Sequence, residues 1–134
     1  MMQVGIDANI LLRAFLNDDS VQSPISRKFL SGLGGGKRGY VGVGALLEMF
    51  WVLRSRYRLP RDGLCQIMRA LLSTEGMVVE AIDAVAEALK RYEQGLADFP
   101  DALLAARNME AGCVSTMTFD EKAAARVPGM ELLA

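Results

Sequence analysis

The sequence predicts an α/β fold with a mainly parallel sheet and helices on both of its faces. Short apolar segments alternate with longer segments in which apolar residues recur at helical spacing, a pattern typical of parallel strands joined by crossover helices. The chain has 134 residues, of which 51% are hydrophobic, and a formal net charge of −1. A chain of this length and composition can bury a core without disulfides, so we expect one domain over residues 1–134.

The first half of the chain predicts two strands and four helices. Residues 2–6 are typical of a short buried strand, and Ser23 before Pro24 predicts an N-cap and the first residue of a helix. Glycines 34–36 predict a flexible turn, because no phosphate-loop or dinucleotide pattern surrounds them. The predicted elements are strands at 2–6 and 40–43 and helices at 7–16, 24–33, 45–56 and 61–72.

The second half predicts three strands, two long helices and a short one. Gly95 and Gly112 each follow a segment of helical periodicity, and glycine commonly ends a helix. The predicted elements are strands at 77–80, 113–118 and 130–133 and helices at 82–94, 100–110 and 121–125.

Three aspartates stand where a strand or loop is about to become a helix. Asp7 follows the first predicted strand, Asp120 follows the strand at 113–118, and Asp101 lies at the start of a predicted helix. Because ligands of parallel α/β folds bind at the carboxyl ends of the strands, we expect acids at these junctions to share a site.

Glu48 stands in an apolar helical segment, as the only charged residue between Arg38 and Arg54. Burying an ionised carboxylate costs free energy unless it meets a cation or a hydrogen-bond donor. A metal-ligand role is therefore the favoured interpretation. The alternatives are a solvent-facing position and a salt bridge to a nearby arginine.

Each aspartate also has a structural interpretation. Aspartate is a favoured N-cap, so Asp7 and Asp120 can cap the helices that follow them. Asp98 is the expected N-cap of the next long helix, which places Asp101 at the third helical position, where an acid suits the helix dipole. Asn9 could orient Asp7 or contact a phosphate.

The chain contains no histidine. This excludes histidine both as a general base and as a metal ligand. Clustered carboxylates repel one another unless a divalent cation neutralises them, and oxygen ligands favour Mg²⁺ or Mn²⁺. The residues therefore predict a metal-dependent nuclease in which the cation activates water and no protein nucleophile is required.

One dense patch of positive charge comprises Arg54, Arg56, Arg58 and Arg61, with Tyr57 among them. Arginines suit the end of a helix for electrostatic reasons alone. As a cluster they predict contacts to RNA phosphates, with the tyrosine ring available to stack on a base.

The cysteines and the apolar segments indicate a cytoplasmic location. Cys65 and Cys113 lack the spacing of a metal or redox motif, so two buried, reduced thiols are expected. The N-terminal segment lacks the pattern of a secretion signal, and no uncharged stretch approaches the about 20 residues that cross a bilayer. We expect no membrane contact.

Four segments, in this order, resemble motifs of the PIN-domain ribonucleases, and among them the VapC-type toxins of type II toxin–antitoxin pairs. In the first segment, a strand ends in Asp7 and is followed by the pattern x-N-x-L-L. The resemblance covers essentially the whole chain and implies a three-layer α/β/α PIN-like fold. The segments are 4–12, 47–53 with Tyr57, 97–106, and 111–113 with 118–122.

The resemblance also implies roles for single residues. Thr118 would hold Asp120 or a metal-bound water. One departure is that Gly42 and Gly44 stand where many relatives have serine or threonine, so a hydroxyl near Glu48 is missing. The catalytic, metal-binding acids would be Asp7, Glu48, Asp101 and Asp120. The supporting residues would be Asn9, Asp98 and Thr118.

The partners that the resemblance implies are an RNA substrate, a small antitoxin protein encoded nearby, and a second copy of the chain in a homodimer. The cofactor would be Mg²⁺ or Mn²⁺.

Three other functions stay open. A housekeeping nuclease that processes ribosomal or transfer RNA precursors would use the same acids. A receiver-like regulatory domain would need paired acids after the first strand and a lysine at the end of a late strand, whereas here only Asp7 follows the first strand and Lys122 comes after Asp120. A non-catalytic RNA-binding relative would have no need of the four acids.

Overall fold

The computed structural model describes all of residues 1–134. Seven helices and five strands follow one another along the chain, and every strand pair is parallel. The predicted α/β class with parallel strands is therefore confirmed. The chain divides into two compact units, Met1–Glu80 and Ala81–Ala134, and the single domain over 1–134 stays a prediction.

The predicted elements all exist, and their bounds differ from the observed ones by at most three residues. The first unit contains β1 (Met2–Gly5), α1 (Ala8–Leu16), α2 (Gln22–Ser31), β2 (Lys37–Val41), α3 (Val43–Ser55), α4 (Arg61–Leu72) and β3 (Met77–Val79). The second contains α5 (Ile82–Glu93), α6 (Phe99–Glu110), β4 (Thr116–Thr118), α7 (Glu121–Arg126) and β5 (Met130–Leu132).

In the first unit the strand order is β1-β2-β3. Gly5 pairs with Tyr40, and Val41 pairs with Val79, so the carboxyl ends of the three strands lie at one edge of the sheet. Helix α1 packs against α2 and α3, and α3 packs against α4. Burial of each large apolar side chain contributes about 1.5–3 kcal/mol. The fully buried side chains include Leu11, Val41, Leu46, Phe50, Leu64 and Met68.

The prediction that the first strand is buried was wrong. Strand β1 lies at the edge of its sheet and pairs on one side only, with β2. Met2 is 61% exposed, and Gln3 and Gly5 are exposed as well. An apolar segment predicts a strand, but its position in the sheet depends on pairing that the segment itself does not encode.

Strand β2 begins three residues earlier than predicted, at the charged Lys37. Pairing with β1 extends to this end, where Met2 N donates to Gly36 O at 2.9 Å. The Lys37 ammonium lies 5.1 Å from the centre of the Phe29 ring, which accommodates the charge beside the strand. The glycine turn before it is confirmed, because Gly34 and Gly35 have φ values of +112° and +59° that favour glycine.

Helix α2 is not capped by Ser23 as predicted. The helix begins at Gln22, and Ser23 is a buried residue inside it. Asp19 provides the acceptor instead, since its Oδ1 receives hydrogen bonds from Val21 N at 2.9 Å and Gln22 N at 2.7 Å. These two bonds lower the pKa of Asp19.

The cysteine prediction holds for one residue of two. Cys65 is buried in α4, whereas Cys113 is exposed. Residue 113 was predicted to open a strand, but β4 begins only at Thr116, which leaves Cys113 in the preceding loop.

In the second unit, α5 packs against α6, and β4 pairs with β5. Val85, Leu89, Phe99 and Leu103 are fully buried. None of the seven helices combines the length and the apolar character that a bilayer-crossing segment requires.

A polar cluster of Arg13, Asp18, Gln22 and Tyr57 joins distant parts of the first unit. Asp18 forms an ion pair with Arg13 at 3.1 Å and accepts a hydrogen bond from the Tyr57 hydroxyl at 2.6 Å. Arg13 Nε also donates to Gln22 Oε1 at 3.0 Å. The cluster therefore connects the end of α1 and the start of α2 with the loop after α3.

The Tyr57 hydroxyl, followed by the Arg13 guanidinium, lowers the pKa of Asp18, because both donate hydrogen bonds to the carboxylate. The same bond raises the pKa of Tyr57. A carboxyl group whose pKa is lower in the folded state stabilises the fold above its unfolded pKa, and this contribution is lost as the pH falls through the folded pKa.

Replacing Tyr57 with phenylalanine is expected to lower the melting temperature at pH 7. The difference from the wild-type protein should shrink as the pH falls below about 4, where Asp18 takes up a proton in the unfolded chain. Thermal melts between pH 3 and pH 7 measure this. Tyr40→Phe is the matched control, since no hydrogen bond of the Tyr40 hydroxyl is found. A difference that stays constant over this range would show that the hydroxyl acts independently of the Asp18 charge.

Candidate functional site

Asp7 is the N-cap of α1, as its structural interpretation predicted. Directly after β1, Ile6 N donates a hydrogen bond to Tyr40 O in β2 at 2.9 Å. The chain then turns into α1. Asp7 Oδ1 accepts a hydrogen bond from Ala8 N at 2.8 Å. The side chain is exposed, so capping does not prevent its second carboxylate oxygen from reaching a ligand.

Glu48 lies on the exposed side of α3, which is the solvent-facing alternative of the sequence analysis. The opposite side of the helix buries Leu46, Met49, Phe50 and Leu53. The cost of burial therefore does not argue for a metal-ligand role at this position. Because α3 packs against α1, Glu48 and Asp7 nevertheless belong to two neighbouring helices of the first unit.

Glu80 is a candidate positioning residue that the sequence analysis missed. It directly follows β3, and its Oε1 accepts a hydrogen bond from Val43 N, the first residue of α3, at 2.8 Å. The N-cap position of α3 is Gly42, which has no side chain to offer. A Cβ at Gly42 would lie in van der Waals contact with Glu80 Oε1, at 3.4 Å, so the Glu80 carboxylate lies directly beside the N-cap position.

The signal that could have identified Glu80 was present in the sequence. Glu80 ends the predicted strand 77–80, and the same criterion selected Asp7 and Asp120. Its partner Val43 lies 37 residues away in the chain, and no local pattern connects the two.

In the second unit, Asp98 and Asp101 occupy the predicted places at the start of α6. Asp98 is the N-cap, and its Oδ1 accepts a hydrogen bond from Phe99 N at 3.0 Å. Phe99 and Pro100 are the first two helical residues, so Asp101 is the third. Asp101 is half-buried, and its negative charge is stabilised by the helix dipole in this first turn.

Asp120 connects β4 to α7. Its backbone N–H donates to Thr118 Oγ1 at 3.0 Å, and its Oδ1 accepts a hydrogen bond from Ala123 N at 3.0 Å. The first contact fixes the backbone at Asp120, and the second caps the helix. At the other end of β4, Asn108 Nδ2 donates to Thr116 Oγ1 at 2.9 Å, which joins α6 to the strand.

The four candidate acids are divided between the two units, with Asp7 and Glu48 in the first and Asp101 and Asp120 in the second. Neither unit contains a group of three or more Asp, Glu or Cys side chains arranged to hold a metal ion. Each unit thus contains two of the four acids. Their carboxylates offer oxygen donors, the ligand type that Mg²⁺ prefers.

Neither of two cavities in the units contains these acids. A cavity of about 330 Å³ in the first unit is lined by residues that include Phe15, Arg27 and Glu75. A cavity of about 180 Å³ in the second unit is lined by residues that include Arg91 and Met109.

The arginine cluster lies at the end of α3 and the start of α4. Arg56, Arg58 and Arg61 are exposed, whereas the Arg54 guanidinium lies 4.9 Å from the centre of the Phe50 ring. The hydroxyl of Tyr57, the predicted stacking residue, donates a hydrogen bond to Asp18. Its ring is therefore held in the polar cluster of the first unit.

No protein-family model matches the chain, and no curated protein matches it. Among solved structures, it is similar to the crystal structure of VapBC2 from Rickettsia felis bound to a DNA fragment from their promoter. The two chains share 16% sequence identity with a TM-score of 0.37, and the match covers 98% of this chain and 97% of that chain.

Replacing Glu80 with alanine is expected to destabilise the fold by about 0.5–2 kcal/mol, because Val43 N–H loses its acceptor. Glu80→Gln should reduce the stability of the fold less than Glu80→Ala does, because glutamine keeps an acceptor oxygen at the same place. Urea denaturation measures both variants, with the exposed Glu75→Ala as the matched control. If Glu80→Ala unfolds at the same urea concentration as the control, the cap contributes nothing to stability.

Proposed function

We propose that the protein is a divalent-metal-dependent endoribonuclease of the PIN-domain type and the toxin of a toxin–antitoxin pair. The observation that carries this proposal is the position of Asp7 and Asp120. Each carboxylate follows a parallel strand and caps the next helix, and such strand ends are where parallel α/β folds bind their ligands. The order of the four motifs along the chain supports the same family.

Mg²⁺ or Mn²⁺ suits the donor set that we assign to the site. The acids Asp7, Glu48, Asp101 and Asp120 offer carboxylate oxygens, which these cations prefer. When bound, such a cation would lower the pKa of a coordinated water and stabilise the negative charge that builds up on a phosphodiester. A chain without histidine then needs neither an imidazole base nor a protein nucleophile.

The supporting residues would hold these acids in place. Thr118 Oγ1 accepts a hydrogen bond from the backbone N–H of Asp120, which fixes Asp120 just after the end of β4. Asp98 caps α6 and so fixes the turn that carries Asp101. Asn9 is exposed in the first turn of α1, where its amide can contact a substrate phosphate or orient Asp7.

The proposed partners are an RNA substrate, a small antitoxin protein that blocks the acidic site, and a second copy of the chain in a homodimer. The proposed location is the cytoplasm. A short reading frame of antitoxin size beside the gene would favour the toxin over a housekeeping nuclease, which would use the same acids on precursor RNA.

Cleavage of RNA by the purified protein, freed of any antitoxin, is expected to stop in EDTA and to return with Mg²⁺ or Mn²⁺. Asp7→Asn and Glu48→Gln should each reduce the cleavage rate on the order of 100-fold or more. Loss of a residue that only orients a metal ligand already reduces activity by about 10- to 100-fold, and loss of a ligand should cost at least as much. Asparagine caps helices as well as aspartate does, and Glu48 is exposed, so neither variant should lose stability.

The matched control for this experiment is Asp83→Asn, an exposed acid in the first turn of α5 that we assign no role. It should cleave at the wild-type rate. Cleavage that persists in EDTA would overturn the metal dependence, and equal losses in all three variants would show that the assay responds to net charge.

Replacing both Arg56 and Arg58 with glutamine is expected to weaken RNA binding and to flatten its dependence on salt. Two lost phosphate contacts reduce the slope of log K against log salt by about 1.4 for single-stranded RNA. Fluorescence anisotropy between 50 and about 200 mM salt covers the range in which this effect is large. Lys28→Gln, an exposed cation on α2, is the control. An unchanged slope combined with loss of antitoxin binding would assign the arginines to the protein partner.

A further inference from the structure

Trp51 is the single tryptophan of the chain and is 60% exposed. It lies on α3, where the neighbouring large side chains of Met49, Phe50 and Leu53 are fully buried. Tryptophan is highly buried on average in folded proteins. The packing of the first unit thus does not account for an indole at this position.

Trp51 shares the exposed face of α3 with Glu48. Gly44, Glu48, Trp51 and Ser55 are all exposed and follow one another at intervals of three or four residues, which places them in one stripe along the helix. Trp51 lies about 4.5 Å beyond Glu48 along the helix axis. The candidate acid and the aromatic ring are therefore neighbours on the same surface.

The residue one turn further on leaves the indole uncovered. Ser55 is small, and its hydroxyl donates to Trp51 O at 2.6 Å, so it is turned towards the backbone. No long side chain of the stripe lies over the ring from this side. The indole is thus open to a flat ligand.

Positive charge begins where the stripe ends. Arg56 is the C-cap of α3, about 7.5 Å beyond Trp51 along the helix axis, and Arg58 follows it in the loop. Both are exposed. Exposed cations are thus present within about two helical turns of the indole. Single-stranded nucleic acid binds surfaces that combine an aromatic ring, on which a base stacks, with cations that contact its phosphates.

Tyr57 is the less suitable aromatic residue for this purpose. The residue is 37% exposed, and its hydroxyl donates a hydrogen bond to Asp18 at 2.6 Å. Trp51 has the larger ring and the larger exposed fraction, and it is the aromatic residue on the face of Glu48.

We propose that Trp51 is the base-stacking residue of the RNA site and favours a purine next to the bond that is cleaved. This inference rests on the proposed function. Stacking increases with the area of the two rings in contact, so adenine or guanine gains more on the indole than uracil or cytosine. Because Trp51 follows Glu48 by one helical turn, the selected base is adjacent to the candidate acid.

Binding of short single-stranded RNA in EDTA tests this proposal without requiring catalysis. The single tryptophan makes fluorescence quenching a local signal. An oligonucleotide with one central adenine among uridines should quench Trp51 at lower concentration than the all-uridine oligonucleotide. Trp51→Ala should weaken anisotropy-detected binding of the adenine oligonucleotide by about 5-fold or more, the loss expected from one base stack, and Trp51→Phe should weaken it less.

The matched control is Ile25→Ala, which removes an apolar side chain that is 64% exposed on α2 and should bind RNA as the wild-type protein does. In Mg²⁺, cleavage by Trp51→Ala should show a higher KM and a smaller ratio of purine to pyrimidine at the cleaved position, with kcat less affected.

Equal quenching by both oligonucleotides and unchanged affinity of Trp51→Ala would overturn the proposal while metal-dependent cleavage stands. The proposal also fails if Trp51→Ala changes the sedimentation of the protein but not its RNA affinity, since Trp51 then contacts a second copy of the chain. If the wild-type protein neither binds nor cleaves RNA, the proposed function fails together with this inference.

Discussion

Helix starts leave backbone N–H groups without partners, and in this protein carboxylates accept hydrogen bonds at most of the junctions that matter for the site. Asp7, Asp98 and Asp120 each accept from the first turn of the helix that they open. Glu80 does the same for α3 from a neighbouring strand. Among the candidate acids, the positions of Asp7 and Asp120 therefore follow from a requirement of the backbone itself, whereas Glu48 and Asp101 lie within helices.

Capping and ligand binding are compatible demands on the same side chain. A carboxylate has two oxygens, and a cap occupies one of them at Asp7 and at Asp120. The helix dipole stabilises the negative charge at each of these places. Asparagine at such a position keeps the cap but removes the charge, so structure and chemistry can be separated by a single substitution.

The sequence predicted features that depend on local spacing. Helix α4 has the predicted bounds of 61 and 72 because its apolar residues repeat at one period, and the cap at Asp98 needs only the adjacent residue. Some errors are local, such as the cap of α2, which Asp19 provides instead of Ser23, but others concern contacts between distant residues. The edge position of β1 and the exposure of Glu48 depend on which elements pack beside them, and an apolar segment alone does not determine this.

Glu80 shows the same limit within the candidate site, since Val43 lies 37 residues away from it. Gly42 leaves α3 without an N-cap side chain. That its replacement comes from the end of β3 could be seen only after the sheet had been assembled.

The bond between Glu80 and Val43 also has a consequence for the order of folding. Most helices can complete their first turn with an acceptor from their own sequence, but α3 can do so only after β3 has paired with β2. The 37 residues that separate Val43 from Glu80 must first be closed into a loop, and the entropic cost of this closure delays such a non-local contact. Transient separation of β3 from its sheet should therefore release the first turn of α3 at the same moment. Amide protons at the start of α3 should then exchange with solvent together with those of β3, as one cooperative unit.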